Sequence, residues 1–226
     1  MCNEFARARR DRALQDEFDR LRVPLLWDLV EDEIPSMAFP MRHTVLLVPV
    51  DPDQPEAGMR AVSARWGMLP AGWAKPTADF KYQTNNARAE NFDDPKSMWS
   101  KVANRRGLIA VDRFFEYEGK ASPKTRWAIS LAGADNARLP VAFFPAVWTT
   151  ARPADLVGEV HTCANITGGP VPDIAFHDRV ARMGALRAAL QGCAPAGQGL
   201  GALTTPPPAG TYHLAQEARP QRAAAT

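Results

Sequence analysis

The chain has 226 residues, of which 46% are hydrophobic, and this is enough for one domain with a substantial core. Its formal net charge of +2 makes neither nucleic acid nor membrane a necessary partner, so any phosphate-binding surface must be a local group of arginines. Three widely spaced cysteines exclude a disulfide framework and the paired spacing of a zinc site.

The N-terminal residues lack the apolar stretch of a signal peptide, and no run of the sequence reaches membrane-spanning length. Together with the odd number of widely spaced cysteines, this predicts a cytoplasmic protein. We expect no cofactor and no metal.

Cys2 directly follows Met1. If Met1 is removed, residue 2 carries an α-amine and a thiol together. An internal cysteine lacks the free amine, whereas a terminal one can condense with an aldehyde and close its thiol onto the imine as a thiazolidine. Both groups are largely protonated at neutral pH, so nearby acid and base groups are expected to assist.

The next elements are a helix and a series of strands. Asp11 can cap a helix that carries Leu14, Phe18 and Leu21 on one stripe and stops before Pro24. Apolar runs predict strands at Thr44–Val50, Arg60–Trp66, Leu108–Tyr117, Arg126–Leu131, Val141–Thr149 and Glu159–Ile166. This pattern predicts an α+β fold dominated by its sheet.

The C-terminal part of the sequence divides at about Cys193. The spacing of Met183, Leu186 and Leu190 predicts a helix over Arg179–Leu190. Residues 194–226 are rich in Ala, Gly and Pro, which predicts a largely disordered tail in which Tyr212 and Leu214 could still dock. The predicted organisation is one domain over residues 2–193 and a tail.

Several motifs carry groups that could do chemistry. A strand ends at Arg65 and Trp66 and enters a Gly/Pro turn that reaches Trp73; such tryptophans can stack on bases or simply pack. Asn85 to Glu90 form a polar loop that includes Asn86 and Arg88. Its groups can hold a sugar hydroxyl or a phosphate, or the loop is an ordinary solvated turn.

Two further side chains are candidates for proton transfer. Glu116 ends the strand Leu108–Tyr117 and shares a face with Phe114, so burial could raise the pKa of its carboxyl. The histidines nearest strand or loop junctions are His161 and His177, and His177 follows a Gly/Pro-rich loop that could deliver an imidazole to a cleft. The alternatives are a glutamate that faces water and surface histidines.

In order and spacing, these blocks resemble the SOS response-associated peptidase (SRAP) family, whose members process abasic sites in single-stranded DNA. The resemblance spans most of residues 2–183. It rests on Met1-Cys2, on Trp66 to Trp73, on Asn86-Ala87-Arg88-Ala89-Glu90, on residues 106–117, on Thr162 to Asn165 and on His177-Asp178-Arg179. The chain departs from the family pattern at Asn3, Glu4, Arg113, Tyr117 and Val180-Ala181.

The resemblance implies a single, barrel-like SRAP domain of curved mixed sheets with a few flanking helices. It implies that Cys2 forms a thiazolidine crosslink with an abasic site, that Asn86, Glu116 and His177 complete the catalytic set, and that a peptidase-like step processes the N-terminus or releases the crosslink. Expected DNA contacts are Arg88, Trp66, Trp73, Arg65 and Arg179. The implied state is a monomer that associates with the nucleoid at DNA damage.

In the family, an arginine two residues after the catalytic cysteine contributes to phosphate binding, and Glu4 stands at that position. A carboxylate there is expected to repel the DNA backbone. Two alternatives therefore remain open: a module that binds single-stranded DNA without crosslinking, and a cysteine peptidase or amidohydrolase that uses Cys2, His177 and Asn86.

Overall fold

The computed structural model describes residues 2–30, 33–194 and 205–218. These ranges contain two α-helices and twelve strands: β1 Phe5–Arg7, α1 Arg12–Leu21, β2 Leu25–Trp27, β3 Met37–Ala38, β4 His43–Pro49, β5 Met59–Trp66, β6 Asn86–Arg88, β7 Arg106–Glu118, β8 Thr125–Leu131, β9 Ala142–Ala151, β10 Val160–Gly168, β11 Val180–Ala181, α2 Leu186–Cys193 and β12 Tyr212–Gln216. The α+β, sheet-dominated prediction is confirmed.

Five of the long strands close into a mixed barrel. β4 pairs antiparallel with β5, β5 runs parallel to β10, β10 pairs antiparallel with β9, and β9 with β7. The ring closes where Leu47 of β4 faces Leu108 of β7. The main hydrophobic cluster includes Leu46, Trp66, Ile109, Phe144 and Cys163, all fully buried. The six predicted strands match β4, β5, β7, β8, β9 and β10 within two residues at each end.

β7 connects the barrel to the N-terminus of the chain. Its first half pairs with β9, and its second half carries β8 on one edge and β1 on the other. Phe5 of β1 faces Phe114, and the Phe115 amide donates to the Glu4 carbonyl at 2.9 Å. This pairing fixes the N-terminal residues beside the part of β7 that contains Glu116.

The first helix forms as predicted. The Asp11 side chain accepts a hydrogen bond from the Leu14 amide at 3.1 Å and caps the N-terminus of α1. Leu14 and Phe18 are its buried residues, and Arg22 ends it in the left-handed region at φ 56°. None of the helices in the described ranges is long and apolar enough to cross a membrane.

The predicted helix over Arg179–Leu190 is wrong in its first half. Val180 and Ala181 form β11, which adds to the edge of β10 through the pairs Thr167↔Ala181 and Gly168↔Val180. α2 begins at Leu186. Backbone hydrogen bonds to an open sheet edge therefore outweigh the helical spacing of the apolar residues.

Residues 205–218, which the sequence placed in the tail, are ordered, and Tyr212 and Leu214 dock, the exception that the sequence analysis left open. β12 pairs antiparallel with β8 from Tyr212↔Leu131 to Gln216↔Trp127, and Tyr212 is buried. The Asp173 carboxylate accepts from the amides of Gly210 and Tyr212 at 2.8 and 2.9 Å. Residues 195–204 and 219–226 lie outside the described residues, and the boundary at 193 stays a prediction.

The folded protein is expected to lose stability at alkaline pH, because two buried thiols resist deprotonation. Burial raises the pKa of Cys163 and of Cys193 from 9.0 to about 12. A raised pKa in the folded state means that stability is complete below about pH 9 and falls as pH rises toward about 12, by at most about 4 kcal/mol per thiol. Urea unfolding midpoints are expected to fall between pH 9 and 11. Cys163→Ala should make that fall shallower, and an unchanged pH dependence would contradict the assignment.

Candidate active site at the N-terminus

Cys2 lies just before β1 and has no exposed surface. Its backbone carbonyl accepts two side-chain hydrogen bonds, from Asn86 Nδ2 at 2.7 Å and from Asn85 Nδ2 at 3.0 Å. The Sγ atom lies 3.8 Å from the Glu4 carbonyl oxygen. Residue 2 is thus held through its main-chain carbonyl, and these contacts use neither its nitrogen nor its thiol.

A chain of amide hydrogen bonds orients Asn86. β6 runs parallel to β10 with Asn86 opposite Asn165, and Asn165 Nδ2 donates to Asn86 Oδ1 at 3.1 Å. The Trp66 indole N–H in turn donates to Asn165 Oδ1 at 3.0 Å. Because the indole can donate but not accept, it fixes the Asn165 amide and then the Asn86 amide, with Nδ2 toward Cys2.

Glu116 and His177 form the second half of the site. Glu116 is 4% exposed, and its Oε2 lies 3.1 Å from His177 Nε2. His177 follows a short turn at Pro172–Ile174, and its own amide donates to the Ile174 carbonyl at 3.2 Å. On its other side, His177 Nδ1 lies 3.3 Å from Asp178 Oδ1. A carboxylate paired with an imidazole can hold and move a proton near neutral pH.

Electrostatics connects the two halves. Burial raises the pKa of the Cys2 thiol well above its usual value, and the nearby charge of Glu116 raises it further. The charge of Glu4 acts in the same direction, so the thiol is held in its protonated form. Cysteine peptidases activate their nucleophile by lowering this pKa, so the shift here runs opposite to that chemistry.

The structure thus places Asn86 against Cys2 and Glu116 against His177, and the pairing of β1 with β7 sets these two pairs of predicted catalytic residues side by side. Sequence reasoning left Asn85 and Asn165 out of the set. Both stand inside motifs that the sequence analysis considered. Their roles depend on the pairing of β6 with β10, which no local pattern indicates.

A family model described as SOS response associated peptidase (SRAP) matches residues 1–186. The chain belongs to the SRAP family.

Relatives and solved structures agree with this placement. The abasic site processing protein YoqW of Bacillus subtilis is 30% identical over 119 residues, which cover 51% of this chain and 49% of YoqW. The abasic site processing protein YMR114C of Saccharomyces cerevisiae is 34% identical over 67 residues, 29% of this chain and 18% of that protein. The chain therefore spans about half or less of the length of these relatives.

Two crystal structures of bacterial proteins share the fold of this SRAP chain. One, from Bacteroides thetaiotaomicron, has a TM-score of 0.69 at 13% identity and covers 94% of this chain and 91% of its own. The other, from Bordetella bronchiseptica, has a TM-score of 0.66 at 19% identity and covers 96% and 100%.

Two of the predicted DNA contacts of the SRAP domain are wrong for this structure. Trp66 has no exposed surface, and its indole N–H serves the amide chain described above, so its ring is not available to a base. Arg65 is 7% exposed and donates to the Gly67 carbonyl, so its charge points inward. Both lie at the end of β5, where the last three residues of the strand are buried.

The other three predicted contacts lie at or near the surface. Arg88 is exposed and Trp73 is half-buried. Arg179 is half-buried and forms an ion pair with Glu90 at 3.0 Å, so its positive charge is partly neutralised within the chain. Arg88 is therefore the predicted arginine most available to a phosphate.

A row of three aromatic rings extends from Trp73. The centroids of Trp73 and Phe80 are 5.2 Å apart, those of Phe80 and Tyr82 are 5.4 Å apart, and Tyr82 is 71% exposed. Sequence analysis missed Phe80 and Tyr82, although two aromatics on either side of Lys81 were a visible signal. We call Trp73, Phe80 and Tyr82 the aromatic row.

Glu4 does not face solvent as the sequence led us to expect. It is 5% exposed, its Oε1 pairs with Arg126 Nη2 at 2.7 Å, and its Oε2 accepts from the Tyr117 hydroxyl at 2.8 Å. The Arg126 guanidinium also lies 3.4 Å from the centre of the Phe115 ring. The negative charge is thus neutralised inside the protein, and the expected repulsion of DNA is largely removed.

Proposed function

We propose that this protein captures abasic sites in single-stranded DNA by a covalent bond to Cys2. The observation that carries the proposal is the placement of Cys2. Asn86 holds its carbonyl at 2.7 Å, and Glu116, paired with His177 at 3.1 Å, is close enough to raise the pKa of its thiol. The names of the relatives give abasic sites as the substrate class.

The reaction begins with removal of Met1, which frees the α-amine of Cys2. The amine attacks the aldehyde carbon of the open-chain deoxyribose and gives a carbinolamine. Glu116 and His177 supply the proton with which hydroxide leaves as water, and a Schiff base remains. The thiol then adds to the imine carbon while its proton passes to the imine nitrogen, which closes the thiazolidine ring. The net change is the loss of one water.

The state of the thiol sets the order of these steps. A buried thiol with a raised pKa is neutral at pH 7, so it is a poor first nucleophile. Amine attack therefore comes first, and the thiol reacts once a base accepts its proton. The charges of Glu116 and of Glu4 both reach the thiol, and of the two Glu116 is the one paired with an imidazole. We assign to Glu116 a second role in the peptidase-like step that exposes Cys2 or releases the adduct.

Arg88 and the aromatic row are the surface that we assign to the DNA strand. Arg88 neutralises a phosphate, and the exposed ring of Tyr82 provides a face on which a base can stack. Such binding is independent of base sequence and weakens with salt. The protein acts as a monomer in this proposal.

Tyr82→Ala tests this surface directly. Loss of one stacking contact is expected to weaken binding to a single-stranded oligonucleotide by about 1–3 kcal/mol, roughly 5- to 160-fold. Fluorescence anisotropy measures this at low and moderate salt. Val157→Ala is the control because Val157 is fully exposed and outside the aromatic row. Equal affinity of the two variants would remove the row from the interface.

A crosslinking assay tests the proposed function itself. Purified protein is incubated with an oligonucleotide that carries one abasic site, with the same oligonucleotide intact, and with an abasic site reduced to its alcohol. A conjugate that survives denaturation is expected with the first DNA alone, because the other two lack an aldehyde. Intact mass spectrometry should give the sum of the two masses minus one water, for a protein that starts at Cys2.

A second candidate is a module that binds single strands without crosslinking. The complete burial of Cys2 favours it, since an aldehyde needs access to the amine. This candidate predicts salt-dependent binding to intact DNA, no conjugate with the abasic oligonucleotide, and retention of Met1 in the mature protein.

A further inference from the structure

A polar cavity of about 450 Å³ lies away from the Cys2 site, toward the other ends of β7 and β10. Its lining includes Arg106, ten residues before Glu116 on β7, and His161, four residues before Asn165 on β10. Arg105, Trp148, Thr150 and Glu159 also line it. The volume is in the usual range for sites that bind small molecules.

Arg106 carries a guanidinium whose hydrogen bonds are incomplete. The residue is 3% exposed, its Nε donates to the Ala103 carbonyl at 2.7 Å, and its Nη1 donates to the Gly192 carbonyl at 3.0 Å. Its Nη2 is buried and has no hydrogen-bond partner among the described residues. Since a buried donor without an acceptor is costly, this nitrogen points to an acceptor supplied by a ligand.

The charges around the cavity favour an anion. Arg105 is exposed and adds a second guanidinium next to Arg106 in the sequence. The carboxylate of the lining, Glu159, lies 3.6 Å from Arg152, which offsets its charge. The Arg105 guanidinium offers N–H donors in a planar fork, and Arg106 adds the donor of its Nη2, a set that suits the oxygens of a phosphate.

One wall of the cavity is aromatic. The Trp148 indole N–H donates to the Arg106 carbonyl at 3.2 Å, which holds the ring in place, and the Arg105 guanidinium lies 5.7 Å from the ring centre. His161 lies 5.6 Å from Trp148, centre to centre. Burial lowers the pKa of His161, so its neutral ring can both donate and accept a hydrogen bond. These groups suit a planar heterocycle with polar edges.

We propose that this cavity binds a nucleoside 5′-monophosphate, with the phosphate on Arg105 and Arg106 and the base against Trp148 and His161. The phosphate takes the unused donor of Arg106, and the planar base takes the aromatic wall. The same chemistry is present in a free mononucleotide and in the 5′-phosphorylated end of a DNA strand. This site is separate from Cys2 and does not depend on the crosslinking reaction.

Isothermal titration calorimetry on the full chain tests the proposal with dAMP, deoxyadenosine and inorganic phosphate. Saturable binding of dAMP is expected, at least tenfold tighter than that of either fragment. Arg105→Ala and Arg106→Lys should each weaken dAMP binding at least tenfold; the lysine keeps the positive charge but loses the Nη2 donor and the two hydrogen bonds that hold the guanidinium in place. Arg60→Ala is the matched control, because Arg60 is on β5 and pairs with Asp28.

Three results of the titrations would overturn the proposal, and a competition experiment identifies the source of the ligand. No binding of dAMP at millimolar concentration, equal binding of phosphate and dAMP, or equal effects of Arg105→Ala and Arg60→Ala would each overturn the proposal. Cys2→Ala should bind dAMP normally even if crosslinking fails, which separates the two sites. Competition by a 5′-phosphorylated oligonucleotide but not by its 5′-hydroxyl form assigns the DNA end as the source, and competition by neither assigns the free nucleotide. Equal competition by both oligonucleotides contradicts the terminal phosphate.

Discussion

Cys2→Ala is expected to abolish the conjugate that survives denaturation while it preserves a Schiff base that borohydride can trap. Alanine at position 2 keeps the α-amine, and the carbonyl contacts of Asn85 and Asn86 are made to the main chain, so they remain possible. What is lost is the thiol that closes the ring. Denaturing gels of reactions with and without borohydride measure the two products side by side.

Cys2→Ser is the matched control for this experiment. Its hydroxyl is close in size to the thiol but is a weaker nucleophile, so it should give a smaller amount of a less stable adduct. A denaturation-stable conjugate formed by Cys2→Ala at the wild-type level would mean that another nucleophile reacts. Absence of a trappable imine in every variant would reject the amine-first mechanism.

Glu116→Gln is expected to slow crosslinking by about 10²- to 10⁴-fold, the usual contribution of a positioned acid or base. The amide is nearly isosteric with the carboxylate, yet it cannot accept the proton that must leave the amine or the thiol. The same change should lower the pKa of the Cys2 thiol, because the negative charge of Glu116 raises it. Single-turnover rates and the pH dependence of Cys2 alkylation, followed by mass spectrometry, measure the two effects.

A slower crosslinking rate together with a lower pKa of the Cys2 thiol would show that Glu116 carries a proton in the reaction. If Glu116 acted by its charge alone, a more acidic thiol would speed ring closure in Glu116→Gln. Glu118→Gln is the control on the same strand; Glu118 is exposed and accepts from the Trp127 indole at 2.8 Å. A rate in Glu116→Gln that equals the rate in Glu118→Gln would exclude the proposed role.

The long strands and α1 could be predicted because each follows a local rule. β4, β5 and β7 are apolar runs bounded by breakers, and Asp11 is an N-cap residue before a helical stripe. The short strands depend on what lies beside them. β11 has two residues and exists because β10 offers an open edge, so the sequence indicated a helix there.

The catalytic set was predicted from the family resemblance, whereas its connections were not. Asn86 and Glu116 are 30 positions apart in the chain, and the pairing of β6 with β10 and of β1 with β7 brings both near Cys2. The sequence also did not predict which way the side chains at the end of β5 point. Trp66 is in the hydrophobic core, and its indole donates to Asn165 instead of contacting DNA. Local patterns do not encode such long-range pairing.

The buried ion pair of Glu4 and Arg126 restricts which substitutions these two positions can accept singly. Removal of one member of a buried ion pair typically costs about 3–5 kcal/mol, because the other charge is left without compensation. An arginine at position 4 would place its guanidinium beside that of Arg126, next to Tyr117 and Phe115. Positions 4 and 126 are therefore expected to have been exchanged together in evolution, and their identities should covary among close relatives of this chain.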